Sequence, residues 1–454
     1  MFDRLKKALA SIPADYADIR YEIKHETRIS FDGKELSQVA INTSDGFVLR
    51  VLKGGGFASC AFTGEKDLEK AVKRSLDNAK IIGRANAKPT VIAAVPVIKE
   101  DRKPNLKEDP RLISLEEKIA LTKHYNSIAT SHPSIATTSI GYLETVREKY
   151  FISSDGAQVR EDLVTTSISG MITSSDGTLL QNIRVAVGGS NGFAILRNRD
   201  DVFENKKQLV VGLLKAQPVS GGVYNVILNN SMAGVFTHEA FGHFSEADSI
   251  EDYPTMRKKM QIGARLGSAI VTITDNPTMP DQLGFYYYDD EGVKAQAVTL
   301  LKEGILAGRL HSRRTAAEFD EPANGRCVAE DYRYAPIVRM GTIFIRPGKD
   351  SVDELFAKLG DGLYIVDAKG GQTGGEDFTF GAQYGYIVKR GKKSGMIRDI
   401  NITGNLYQTL QNISAVANDF VLSQTGGCGK GQINIRSCHG GPHILVRDLV
   451  VGGH

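Results

Sequence analysis

No stretch of this chain approaches the roughly 20 consecutive apolar residues that a bilayer-spanning helix needs, so no membrane span is expected. Cysteine is scarce as well. Cys60, Cys327, Cys428 and Cys438 are the four in 454 residues, and they lie far apart. That argues against a disulfide framework and makes a reducing, cytoplasmic setting the expectation. The formal net charge of +3 is too small to point to nucleic acid or to an anionic membrane. No glycine fingerprint follows a strand-like run, which removes a dinucleotide fold. The Gly54-Gly55-Gly56 run is not followed by the Lys-Ser/Thr pair of a phosphate cradle. The start, MFDRLKKALASIPADYADIR, has no apolar core of a signal peptide and reads as a packed first helix. Tryptophan is absent too, but that excludes nothing functional.

What is present is the composition of an ordinary globular protein, 41% hydrophobic and 24% charged, long enough for two or three domains. The pattern predicts an α+β fold. An N-terminal strand-and-helix domain is expected over 1–98, a continuation with helices and antiparallel strands over 99–218, and a β-rich domain over 219–454. Ile19, Tyr21 and Ile23 alternate with Arg20, Glu22 and Lys24, as in a half-buried strand. Asp32-Gly33, Asp45-Gly46, Ser153–Gly156 and Ser174–Gly177 carry turn chemistry. Leu68 to Ala79 and Val202 to Ala216 read as helices, and Ser114 with Glu117 as a capping box. Lys99 to Pro110 reads as a linker. Val223–Leu228, Phe285–Tyr288 and Ile343–Ile345 are among the short strands expected beyond it.

The chemistry concentrates in NNSMAGVFTHEAFGHFSEAD, residues 229–248. His238, Glu239 and His243 form H-E-x-x-x-H, the donor types of a hydrolytic zinc site at a spacing one residue longer than H-E-x-x-H. At about 100° per residue, positions five apart point about 140° away from each other on a regular helix. A local π-type turn would bring both imidazoles to one metal, and Gly242 offers the least resistance to it. In a regular helix, one ring would instead pack in the core and the other meet water. A catalytic zinc needs a third protein ligand. His311, Cys327, Cys428, Cys438, His439, His443 and several carboxylates are available in this half. Cys428 stands out because glycines flank it and nearby Lys430 would favour a thiolate. Cys438-His439 is the competing pair.

Taken together, HEAFGHFSEAD, DDEG (289–292), GILAGRLHSRRTA (304–316), RMGT (339–342), CGKGQ (428–432) and GFASCAF (56–62) resemble the TldD/PmbA family. Its members are described as zinc metallopeptidases and as modulators of DNA gyrase. The resemblance implies that His238, His243 and Cys428 bind zinc and that Glu239 is the catalytic carboxylate, as in the metal-retaining TldD type. It implies hydrolysis of small or unfolded peptides, with zinc lowering the pKa of a bound water to roughly 7. Glu239 would take the proton and return it to the leaving amine. Glu246 and Asp248 are the expected orienting carboxylates behind an imidazole. The expected partners are a peptide substrate and either a second copy or a metal-free PmbA/TldE-like relative, with no direct nucleic-acid or membrane contact. A zinc amidase and a non-catalytic peptide-binding regulator are the alternatives. Retention of Glu239 speaks against the second.

Overall fold

A computed structural model describes residues 1–453; His454, the last residue of the expected 219–454 domain, lies outside the described residues. The N-terminal half is built on one seven-stranded sheet. Its strands are β1 (Tyr16–Asp32), β2 (Glu35–Lys53), β3 (Gly56–Phe62), β4 (Lys99–Arg102), β5 (Ile135–Ser153), β6 (Gln158–Ser175) and β7 (Leu180–Gly189). The spatial order is β3-β2-β1-β5-β6-β4, with β7 also on β6. β1 and β5 pair antiparallel, Tyr21 opposite Tyr150, so segments far apart in sequence share one sheet. The helix Leu68–Ala85 packs Ala71 and Ala79 onto Ile19, Leu49 and Val51. Helices Leu115–Ala129 and Asp200–Leu213 cover the other part. Ser114 caps the former through the amide of Glu117 at 3.1 Å.

The structure departs from the sequence expectation in four places. The polar face of β1 is not solvated: Asp18, Arg20 and Glu22 are all buried. Their charges are matched by pairs, Arg20 to Asp290 at 2.7 Å, Arg147 to Glu22 at 2.7 Å, and Arg50 to both Asp18 and Glu291. A buried charge is tolerated only when so paired, and here the partners come partly from the Asp289–Gly292 block of the C-terminal half. Asp45-Gly46 is no turn but lies inside β2. The glycine is there because the Tyr332 ring sits where a Cβ would be, 2.3 Å from its ideal position. Within the expected linker, Lys99–Arg102 forms an edge strand parallel to β6. Phe285–Tyr288 is not a strand: Tyr286 turns its hydroxyl to the Gly325 carbonyl, and the Tyr287 amide donates to Glu161. The turns at Gly33, Gly156 and Gly177 are present, each glycine with positive φ.

In the C-terminal half, strands Gly362–Gly374, Gly222–Leu228, Ile444–Gly452, Ile400–Asn405 and Asp377–Lys389 pair in succession. The last pairs back to the first, which closes the ring. Alternate residues, among them Val226, Leu228, Ile365, Phe378, Phe380 and Ile402, form one core with Phe236, Ala240 and Phe241 of the histidine-bearing helix. Each such large side chain contributes about 1.5–3 kcal/mol on burial. The opposite faces, Ile227, Tyr364, Val388 and Leu445, join a second core with Tyr125, Ile168 and Phe203, so apolar packing crosses residue 218. A six-stranded sheet including Ile273–Asp275, Thr342–Ile345 and Cys438–Gly441 lies on the helix's other side. Among the described residues, no helix is long and apolar enough to cross a membrane.

Candidate metal centre

The strand Gly222–Leu228 delivers the chain into the site. Asn229 then caps the helix Asn230–Val235, its side chain accepting from the Met232 amide at 3.0 Å. From Phe236 to Gly242 the helix widens to a π-helix, and His243–Ser245 resumes α geometry. This is the distortion that the five-residue spacing requires. It brings the two imidazoles together, ring centroids 5.4 Å apart. Gly242 has a second reason to be glycine: an added Cβ would lie 2.1 Å from Met340 Sδ and 3.1 Å from Ile343 Cδ1. Gly242→Ala should therefore cost about 1–3 kcal/mol through overpacking, measured by urea unfolding. An unchanged midpoint would mean Met340 moves aside freely.

Cys428 arrives from a segment 185 residues later, its Sγ 3.5 Å from His243 Nε2. It sits at the neck of a tight loop, exchanging both backbone hydrogen bonds with Ile435. Gly427 takes φ +133° there, with Asn434 Oδ1 2.0 Å from where a Cβ would stand. Glu239, about a quarter exposed, places Oε2 3.5 Å from His243 Nε2 and Oε1 4.0 Å from His238 Nε2. One ligand atom each from His238, Glu239, His243 and Cys428 lie within 4.8 Å of one another.

The donor set suits a cation. His238 is buried, and neither ring nitrogen has a hydrogen-bond partner. Such an orphaned polar group costs about 1–3 kcal/mol unless a ligand meets it. Burial, with His439, His243 and Arg339 nearby, holds its pKa well below the ordinary value, leaving the neutral imidazole that binds metals. Burial pulls His243 down too, but Cys428, Glu239 and Glu246 outweigh it and push that ring up to about 11. The acceptors around His243 thus draw positive charge to this point. Two imidazoles and a thiol are zinc donors. The residues fit that metal.

Glu246 lies directly behind His243, its Oε2 3.3 Å from Nδ1. Its burial would raise its pKa, yet Arg339, Lys430 and His243 hold it down at about 2. Asp248 reaches neither imidazole: it accepts from Lys430 at 2.5 Å and from the Val338 amide at 3.3 Å. Lys430 accordingly turns its ammonium to these carboxylates and not to the thiol. Cys438 is buried against the Ser423 carbonyl, 3.0 Å away. His443 is held by Asp419 at 2.8 Å and Tyr364 at 2.9 Å, and His311 by Thr315 and Glu321. Cys327 is buried elsewhere.

Two further neighbours flank the centre: His439, weighed in sequence only as an alternative ligand, and Arg339, whose role the sequence reading missed. His439 packs its ring 5.5 Å from that of His238, and burial brings its pKa down to about 4. Arg339, fully buried, faces Glu246 at 3.3 Å. The RMGT block was the one available signal for Arg339, but nothing in sequence ties it to a particular carboxylate.

Family models for the PmbA/TldA metallopeptidase match residues 17–79 (domain 1), 108–215 (central domain) and 221–453 (C-terminal domain). A metalloprotease of Synechocystis is 34% identical over 443 residues, covering 97% of this chain and 95% of its own. A zinc metalloprotease TldD homolog of Saccharolobus solfataricus is 30% identical over 464 residues, with both chains fully covered. The fold matches the crystal structure of TldE from Thermococcus kodakarensis with a TM-score of 0.80 at 16% identity, over 100% of both chains. This chain belongs to the PmbA/TldD metallopeptidase family.

Proposed function

We propose that this protein is a zinc-dependent peptidase of the TldD type, acting on small or unfolded peptides. The observation that carries the reading is the π-helical convergence of His238, Glu239 and His243 on Cys428. His238, His243 and Cys428 would hold the ion, and Glu239 would remain free to handle protons. Zinc there supplies Lewis acidity toward a carbonyl and toward water. Glu239 is the base: its carboxylate is partly exposed, beside both rings, and able to take a proton from water and return it to the leaving amine. Glu246 holds His243 through Nδ1, fixing which nitrogen faces the centre. The Thr373 hydroxyl donates to the Glu239 carbonyl at 3.0 Å, tying the hairpin of Gly362–Gly374 and Asp377–Lys389 to the helix. Beyond Ile365 the strand Gly362–Gly374 keeps no pairing with Gly222–Leu228, and that open edge suits an extended peptide, recognised through its main chain. The likeness to the zinc metalloprotease TldD homolog of Saccharolobus supports zinc. The proposal extends to a cytoplasmic setting and to pairing with a second copy or a metal-free TldE-like chain.

The test is metal analysis joined to cleavage of a peptide panel. The wild-type chain should carry one zinc, lose cleavage on chelation and regain it on zinc addition. His238→Ala and Cys428→Ser should each lose most of the zinc. Full occupancy in Cys428→Ser would move the third ligand elsewhere, with His439 next to examine. Cleavage that survives complete chelation would end the zinc reading.

A further inference from the structure

The ligands of the proposed centre come from two segments that share no secondary structure, so something must hold the cysteine loop against the histidine helix. The strand Cys438–Gly441 that follows the loop packs on the helix Asn230–Val235, and within the loop itself one side chain reaches the carboxylates just beyond His243. Lys430, two residues beyond Cys428, places its Nζ 2.9 Å from Glu246 Oε2, 2.5 Å from Asp248 Oδ1 and 3.4 Å from the Val338 carbonyl. Glu246 Oε2 is the same atom that lies 3.3 Å from His243 Nδ1. One buried carboxylate thus grips His243 on one side and the cysteine loop on the other. The far side of that loop is held separately, by Glu330 accepting from the Ile433 and Asn434 amides and by Gln432 bonding to Ala335.

We propose that Lys430 is a positioning residue: a clasp that sets the Cys428 sulfur against the histidine pair by binding Glu246 and Asp248. This rests on the zinc reading above and adds to it the residue that couples the two ligand-bearing segments. The geometry favours a clasp over a solvated surface lysine. Its side chain is only 25% exposed, and Glu246 is fully buried, so the pair is little screened by water. It also gives Asp248 a use that the imidazoles do not. Arg339 backs the other Glu246 oxygen at 3.3 Å, so that carboxylate keeps a counter-charge when Lys430 is removed.

The experiment is titration of the whole metal-free chain with cobalt and with zinc against a chromophoric chelator. Wild type, Lys430→Met, Lys430→Arg, Asp248→Asn and Cys428→Ser are compared. Lys430→Met should bind zinc roughly 10–100-fold more weakly, and its cobalt complex should lose most of the thiolate-to-metal charge-transfer band. Lys430→Arg should restore part of both. Asp248→Asn, which leaves Glu246 in place, should give a smaller loss in the same direction and serves if Lys430→Met does not fold. Unfolding midpoints of the metal-free variants should stay near wild type. Wild-type affinity and an intact band in Lys430→Met, or in a folded Asp248→Asn standing in for it, overturn the clasp alone. Weaker binding with the band fully retained also overturns it, because the sulfur would then be in place without the clasp. A wild-type chain that binds metal with no thiolate band removes Cys428 as a ligand and the clasp with it, whereas one that binds neither cobalt nor zinc removes the zinc reading itself.

Discussion

Glu239→Gln should retain zinc and lose peptide cleavage by about a hundred- to ten-thousand-fold, the span over which a positioned general base or acid contributes. The substitution keeps the shape of the side chain and removes its ability to accept a proton at neutral pH. Glu239 is the one carboxylate in the donor cluster, and its oxygens stand 3.5 and 4.0 Å from the two imidazoles. His238, His243 and Cys428 remain, so metal content should stay close to wild type. The loss should fall on kcat more than on KM, because Glu239 is assigned to proton transfer and not to holding peptide. Steady-state cleavage with metal analysis on the same sample decides it. A Gln variant that keeps its zinc and cleaves at the native rate would exclude Glu239 as the base.

The largest effect on stability is expected at Arg326, which is not one of the proposed metal donors. Its guanidinium and the Asp275 carboxylate are both fully buried, 2.7 Å apart, and Arg326 also donates to the Asn324 carbonyl at 2.9 Å. Arg326→Met would leave Asp275 in the core without its cation. Breaking a buried pair from one side typically costs about 3–5 kcal/mol. That is a large part of the 5–15 kcal/mol by which domains are commonly stable. Asp275 also accepts from the Gly341 amide at 3.0 Å, and Gly341 follows the Arg339 that faces Glu246. The variant should therefore loosen the segment backing the centre as well as shift urea unfolding. Replacing Asp275 by Asn in the same chain should recover part of the loss, since the uncompensated charge is then gone. A shift below about 1 kcal/mol in Arg326→Met would show that water reaches Asp275 and that the pair is not the anchor described here.

The centre was more legible in sequence than the sheet that frames it. His238, Glu239 and His243 are neighbours in the chain, so their spacing alone posed the geometric question, and the π-helix Phe236–Gly242 answers it in the convergent sense. Cys428 could be singled out by its glycines but not located, because no local pattern encodes a contact across 185 residues. The role assigned to Lys430 from proximity in sequence, favouring a thiolate, gave way to its bonds with Glu246 and Asp248. Adjacent residues on a tight loop point in different directions, and the loop's path decides which neighbour each one meets.

The strands show the same division. Alternation in Ile19, Tyr21 and Ile23 marked β1 correctly, and turn chemistry at Gly33, Gly156 and Gly177 marked the hairpins, because period and backbone handedness are local properties. Gly46 carried the same dipeptide signal and lies within a strand, since what it accommodates is the ring of Tyr332. By itself the sequence determined the α+β class, the donor types and the need for a widened helix. Only the tertiary structure decided which cysteine meets the histidines, which carboxylate backs them, and that the charged face of β1 is buried. Those outcomes depend on charges and side chains meeting across long separations, where burial and pairing set the energies and chain spacing carries no information about them.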